Sequence, residues 1–402
     1  MALGQAEAPD SRLPFAVRLV LAGLGIAAAA WLMWTAVGVH LERACVLLDT
    51  PYLPLCDDPA DARGAQRQQQ LRHRLAVNPA EADSWIQLTH IETGTYEKPL
   101  LRAVSALAPN DPNVLLWRAG DLLARNQGPQ AVDLLVQLVV YRKRGEATDA
   151  LARILASGQG TALLRPHLAT GDRWLPQVLT RLTALKLPLP PALPLMAEAS
   201  SSGTIRKPTI QFFIRALRDA GLWSDAYSLW LAQQRGPTPL LHNGRFEQAF
   251  EPDGFDWETT PTLPSKAGAI VSQRTSGSRG QVLDIEFTGR PLAIPVIRQY
   301  VFAPPGKYLL RGQYMSSKLR LEEGLAWAAR CTNGDAAVPA GRSEGLPDTA
   351  GSWQGFQFAI SVPASCGLVF SLQLETSAPS AASAGAKGRA AFDSLELVRQ
   401  GV

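Results

Sequence analysis

This chain has little of what chemistry is usually built from. Its four cysteines and five histidines are spread over 402 residues with no CxxC pair and no Cys/His cluster, which excludes the common structural zinc sites. P-loop, HExxH and G-x-G-x-x-G strings are absent, so phosphate cradles, zincin centres and dinucleotide folds are not expected. The carboxylate neighbours Asp256/Glu258 and Glu322/Glu323 are the nearest approach to a glycosidase pair. Adjacent acids in loops are ordinarily solvated, and hydrolysis needs two carboxyls about 5–10 Å apart across a bound sugar. A non-catalytic protein is therefore expected, with a glycosidase or polysaccharide-modifying enzyme as an alternative. Charge of one sign is also scarce. The net charge is +4 and the basic residues are scattered, so no nucleic-acid partner is expected.

Apolar residues and turn formers are plentiful: 46% of the chain is hydrophobic, with 33 glycines and 30 prolines. The length exceeds what one ordinary core supports and predicts two or three domains.

Residues 19–39 form a run of twenty-one residues without a charge. At 1.5 Å per residue this is about 30 Å of helix, the thickness of a bilayer's hydrocarbon core. Trp31 and Trp34 stand towards the far end, where indoles favour the membrane interface. A cleaved signal peptide is the rival, but its apolar region normally stops after about 7–15 residues. The run is read as one transmembrane helix. Arg12 and Arg18 precede it, which places residues 1–18 as a cytoplasmic tail and the bulk of the chain in the periplasm of a bacterial-type inner membrane. Residues 40–65 follow as a juxtamembrane segment.

The cysteines fall into two local pairs, Cys45 with Cys56 and Cys331 with Cys366. Two disulfides in an oxidising compartment fit this spacing, and so do four unrelated buried thiols. Cys331 and Cys366 each end a predicted strand, and a bridge between them would stabilise by about 3–4 kcal/mol through loop closure.

Residues 66–235 read as helix after helix. At an offset of 32 residues, Leu75-Ala76-Val77-Asn78-Pro79 recurs as Leu107-Ala108-Pro109-Asn110-Asp111, and Trp85 recurs as Trp117. Gly120, Leu123, Gly128 and Ala131 follow, with the glycines and the alanine as small residues where two helices touch. This resembles the tetratricopeptide pattern, although the offset is shorter than 34 and Ala124 stands where an aromatic is usual. The resemblance implies an α-solenoid that docks protein partners; the alternative is an irregular helical bundle. Residues 187–208, rich in proline and serine, are read as a break.

Beyond Gly236-Pro237-Thr238-Pro239 the period changes to alternation. Strands are predicted at 282–287, 296–302, 308–315, 325–331, 356–362, 368–374 and 392–398, separated by Gly and Pro, as in an antiparallel β-sandwich spanning 236–402. Residues 377–388, rich in Ala, Ser and Gly, are read as a loop. The expected fold class is thus multidomain α plus β.

Three elements carry a second resemblance: Asn243-Gly244-Arg245-Phe246-Glu247 with Phe255-Asp256-Trp257, the turn Pro305-Gly306-Lys307-Tyr308, and the ending Phe392-Asp393-Ser394-Leu395-Glu396-Leu397. Together they resemble the galactose-binding-like jelly rolls, especially the carbohydrate-binding modules. The resemblance implies Phe246 and Phe392 in the core, and Glu247 near Asp393, where such domains often hold a structural Ca²⁺. It also implies exposed aromatics that stack on sugars, with Trp257, Trp353, Trp327 and Tyr314 as candidates. Trp257, in a Pro/Gly-rich loop, is the best exposed of these. Tyr300, Phe302 and Tyr308 read as core. The functional expectation is a membrane-anchored envelope protein whose jelly roll binds polysaccharide, accessory to exopolysaccharide export or assembly. A pure protein scaffold is the alternative.

Overall fold

The computed structural model describes residues 65–93, 104–234, 236–259, 267–332 and 339–401, with a few positions between 26 and 33. The expected cytoplasmic tail, Cys45, Cys56 and most of the 19–39 run lie outside the described residues. Among those described, no helix is long and apolar enough to cross a membrane. The chain divides into two compact units, Met1–Ala147 and Thr148–Val402.

The first unit is helical, with α1 (Ala65–Val77), α2 (Ala82–Thr93), α3 (Pro112–Ala124) and α4 (Gly128–Gln137). Leu71, Leu75 and Leu88 pack together with Trp85, whose indole N–H donates to the Pro79 carbonyl at 2.9 Å. The Asn-Asp-Pro element acts as the sequence requires. Asp111 caps α3 by accepting from the Asn113 and Val114 amides, and Pro112 opens the helix where its missing N–H is not needed.

Helices continue as α5 (Gly145–Leu155), α6 (Gly160–Leu164), α7 (Gly171–Ala184), α8 (Leu193–Ser201), α9 (Lys207–Asp219) and α10 (Trp223–Leu231). The expected break at 187–208 contains α8. Pro194 lies in its first turn, where proline is tolerated, so the proline cluster starts a helix instead of preventing one. Side-chain bonds recur across a nearly constant sequence interval. In the first unit Asn113 donates to Asp83 at 3.1 Å (30 residues apart) and Arg144 to Asn113 at 2.8 Å (31 apart). In the second, Arg181 pairs with Asp149 (32 apart), Arg165 with Glu198 (33 apart) and Arg206 with Asp172 (34 apart).

The rest of the second unit is a sandwich of two five-stranded antiparallel sheets, ordered β1-β4-β9-β6-β7 and β2-β3-β10-β5-β8. The first sheet contains β1 (Glu258–Thr259), β4 (Ile297–Phe302), β6 (Leu325–Cys331), β7 (Pro339–Arg342) and β9 (Val369–Thr376). The second contains β2 (Ala269–Thr275), β3 (Gln281–Thr288), β5 (Gly306–Arg320), β8 (Gln354–Val362) and β10 (Lys387–Arg399). Alternation sorts strands such as β4, where Ile297, Gln299 and Val301 are buried and their neighbours are not, whereas β6 and β9 are buried on both faces. The expected 377–388 loop instead holds a short helix, α11 (Pro379–Ala384), before β10 begins.

The opening and closing elements meet as the jelly-roll resemblance implies. The Leu395 amide donates to the Gly244 carbonyl at 2.8 Å. A Cβ on Gly244 would stand 2.0 Å from the Leu395 oxygen, so only glycine fits there. Phe246 and Phe392 are fully buried, and a ring series runs Phe246–Trp257–Trp327–Phe392 at 5.4, 5.7 and 5.4 Å. Cys331 and Cys366 form a disulfide.

Candidate functional site

The structure sorts the four candidate aromatics decisively. Trp257 and Trp327 are 0% exposed and Tyr314 is 4% exposed, so all three belong to the sandwich core. Trp257, expected to be the most exposed, is drawn in by its own loop. Asp256 accepts from the Glu251 and Trp257 amides at 3.0 and 2.7 Å, and the Trp257 indole donates to the Asn243 carbonyl at 3.1 Å. Trp353 remains half-buried at the rim before β8, with the Arg279 guanidinium carbon 4.4 Å above its ring.

Arg279 also bears on the implied calcium site. Its guanidinium donates to Asp393 at 3.2 Å, while the other Asp393 oxygen accepts from the Ser394 amide at 2.6 Å. Glu247 receives the Gln281 amide at 3.3 Å and packs against Gly280, one residue beyond Arg279. The two acids thus hold a β2–β3 turn that supplies its own cation. Calcium needs at least six oxygens, and among the described residues no group of three His, Cys, Asp or Glu could hold a metal. The residues do not fit that ion.

The carboxylates considered for catalysis have other partners. Asp256 is 1% exposed, and burial pushes its pKa up to about 6. Glu258 lies between Arg218 at 2.6 Å and Arg298 at 3.1 Å. Glu322 and Glu323 sit exposed in a turn. The expectation that the chain has no G-x-S-x-G string is corrected by Gly341-Arg342-Ser343-Glu344-Gly345. Ser343 is 9% exposed at the end of edge strand β7, where its hydroxyl donates to the Glu344 carbonyl at 2.7 Å and accepts from the Trp327 amide at 3.0 Å. A nucleophile elbow requires a strand–turn–helix, which is not present there.

The outer faces of the two sheets differ sharply. On the first sheet, Tyr300 and Phe302 point away from the sandwich core, and α9 and α10 cover them. Tyr227 lies on Phe302 with centroids 4.3 Å apart, and Trp223 meets Tyr300 at 5.0 Å. The Arg218 carbon stands 4.4 Å over Tyr300 while its guanidinium bonds Glu258 and the Gly254 carbonyl. These rings were expected in the core; they lie instead half-buried on the outer face, under the chain's own helices.

The second sheet's outer face is open. Register places Gln357, Arg311 and Glu396 in one row across β8, β5 and β10, and Gly355, Gln313 and Asp393 in the next. Arg311 donates twice to one Glu396 oxygen, at 2.8 and 2.6 Å. A cavity of about 560 Å³ lies here, lined by Arg311, Gln313, Gln357 and Glu396. Gly355 leaves it unobstructed, since a Cβ there would meet nothing within 4 Å. Farther along, Asp284 is 2% exposed although it points outward, because Arg389 covers it at 2.8 and 2.6 Å. That hydrogen-bonded carboxylate holds the Arg389 pKa above its ordinary value. The face is polar, and at the cavity its two charged side chains, Arg311 and Glu396, are paired with each other.

No family model matches this chain, and no curated protein matches it. Solved structures do resemble its C-terminal part. A CBM4 structure is 15% identical, with a TM-score of 0.31 over 40% of this chain and 99% of its own. The CBM22-1 xylan-binding domain of Paenibacillus barcinonensis Xyn10C is 17% identical, with a TM-score of 0.27 over 39% of this chain and 91% of its own. A cyclase from Fischerella sp. TAU is 11% identical, with a TM-score of 0.29 over 41% of this chain and 98% of its own. Fold likeness does not fix function, which has to be read from the side chains.

Arg311, Gln313, Gln357 and Glu396 were not nominated from the sequence. Their signal is the alternation Leu310-Arg311-Gly312-Gln313-Tyr314, in which two long polar side chains share the face opposite the core.

Proposed function

We propose that the sandwich binds a neutral polysaccharide on the open face of its second sheet, and that the protein is a non-catalytic, membrane-anchored envelope component. The observation that carries this reading is the row Gln357–Arg311–Glu396 beside Gln313. Amides and a paired guanidinium offer donors and acceptors without net charge, which suits hydroxyls. The uncharged 19–39 run supports the anchor. The side-chain bonds at intervals of 30 to 34 residues support stacked helical repeats, and hence a protein-docking solenoid. An accessory role in exopolysaccharide export or assembly follows from joining the two functions on one anchor.

Affinity electrophoresis of the full chain through xylan, soluble cellulose derivatives and galactan tests the reading. Retardation by at least one polymer is expected, with loss of retardation in Arg311→Ala and Gln357→Ala. Free migration in every gel would favour the alternative, a protein scaffold whose sandwich is another docking surface.

A further inference from the structure

A second cavity, of about 630 Å³, opens between the helices and the start of the sandwich, away from the open sheet face. Its volume falls in the range of sites for small ligands, about 300–1,000 Å³. Ile205, Ile210, Ile214 and Trp230 form apolar lining, all of them buried. The uncharged polar lining includes Gln211, Gln233, Gln234, Gln248, Ser200 and His242. Amides and hydroxyls each both donate and accept. His242 adds the same capacity, because burial lowers its pKa and keeps the imidazole neutral. The two charged residues of the lining, Lys207 and Glu251, are bonded to each other.

The walls are fixed. Buried Gln299 both donates to the His242 carbonyl at 2.8 Å and accepts from its amide at 3.0 Å, and the imidazole stands edge-on to Trp230 at 5.1 Å. Lys207–Glu251, Arg215–Asp253 and Arg218–Glu258 tie α9 to the 251–258 loop. Gln211 sits one helical turn from both Lys207 and Arg215, on the same face of α9.

We propose that this junction cleft is a second binding site, for a neutral saccharide of one or two sugar units. An anion would find its only cation already paired. A cation would find its only carboxylate paired, and a lipid chain would meet too many amides. A ring with hydroxyls on its rim and C–H bonds on its faces matches both linings.

Calorimetric titration of the full chain with xylohexaose, and separately with cellohexaose, tests this. Two molecules per chain are expected for at least one of the sugars. Gln211→Trp, which fills the cleft, should remove one of them, and Gln357→Ala the other. Gln211→Ala, a milder change, should weaken the first site roughly tenfold with the circular dichroism unchanged. One molecule per chain, insensitive to both Gln211 variants and lost in Gln357→Ala, would overturn the cleft and leave the sheet face standing. One molecule lost in Gln211→Trp and kept in Gln357→Ala would do the reverse. Absence of binding by both sugars would overturn both sites. Uptake of hexaglycine in the cleft at equal or higher affinity would identify a peptide groove and also overturn the saccharide assignment.

Discussion

Tyr227 of α10 lies flat on Phe302 of β4, with 4.3 Å between ring centres and 4° between ring planes. A helix is thereby seated on the outer face of a sandwich whose own core would otherwise end at that sheet. Trp223, Trp230 and Phe255 extend the contact, and Arg218 is buried within it. Helices and sandwich therefore share a second apolar core, held in register by a cation that both sides need.

Arg218→Ala should destabilise the second unit by about 3 kcal/mol, because it removes one partner of a buried pair and leaves the Gly254 carbonyl without its donor. Urea unfolding followed by circular dichroism measures the change. A loss under roughly 0.5 kcal/mol, the level of an ordinary surface change, would contradict the role given to Arg218.

Asp256 sets a pH dependence with a definite sign. Its pKa is raised by burial to about 6 from 3.8, so the native state holds a proton that the unfolded state releases. Stability from this group is therefore fully present below the unfolded pKa and is lost as pH rises through about 6. Wild type should gain on Asp256→Asn by about 2–3 kcal/mol at most as pH falls from roughly 7.5 to 4.5. A stability difference that stays flat over that interval would contradict the assignment.

The two core tryptophans should respond unequally to phenylalanine. The Trp257 indole N–H has its bond to Asn243, whereas the buried Trp327 indole N–H has no partner among the described residues. Losing a made bond costs about 1 kcal/mol beyond the change in shape, while removing an unsatisfied donor relieves a penalty. Trp257→Phe should therefore lower Tm more than Trp327→Phe. The reverse order in a thermal melt would count against this account of the core.

Calcium should leave the sandwich unaffected. Arg279 already neutralises Asp393, and a ligand that does not bind the native state cannot stabilise it. Melts with added calcium and with a chelator should superimpose, and Arg279→Ala should lower Tm in both. A rise in Tm with calcium that disappears in Asp393→Asn would contradict this reading.

Strands such as β8 were legible because burial on one face imposes a period of two, while β6, buried on both faces, reads as a short apolar run between turn formers. Predicted 282–287, 325–331 and 356–362 fall within β3, β6 and β8. The elements missed lacked that signal: β1 has two residues, β7 carries Pro339 and Gly341, and β2 alternates only between half-buried and exposed. Trp257 was misplaced for a different reason. Its neighbours in sequence are loop formers, and what buries it is the bond to Asn243, fourteen residues away. Arg279 reaches Asp393 across 114 residues, a pairing that no local pattern announces. Polar alternation in β5 did mark the candidate face, but aromatic residues drew the search for a sugar site towards rings the core had already taken.

The seating of α10 on β4 has a consequence for how this protein can be divided. The switch from helix to strand near residue 236 looks like a place to cut, yet a fragment beginning there would uncover Tyr300 and Phe302 and strip Glu258 of Arg218. Exposed neighbouring rings on a sheet face invite self-association. A portable piece has to include α9 and α10, from Lys207 onward, and fusions, truncations or gene rearrangements that keep the sandwich soluble should carry those helices with it.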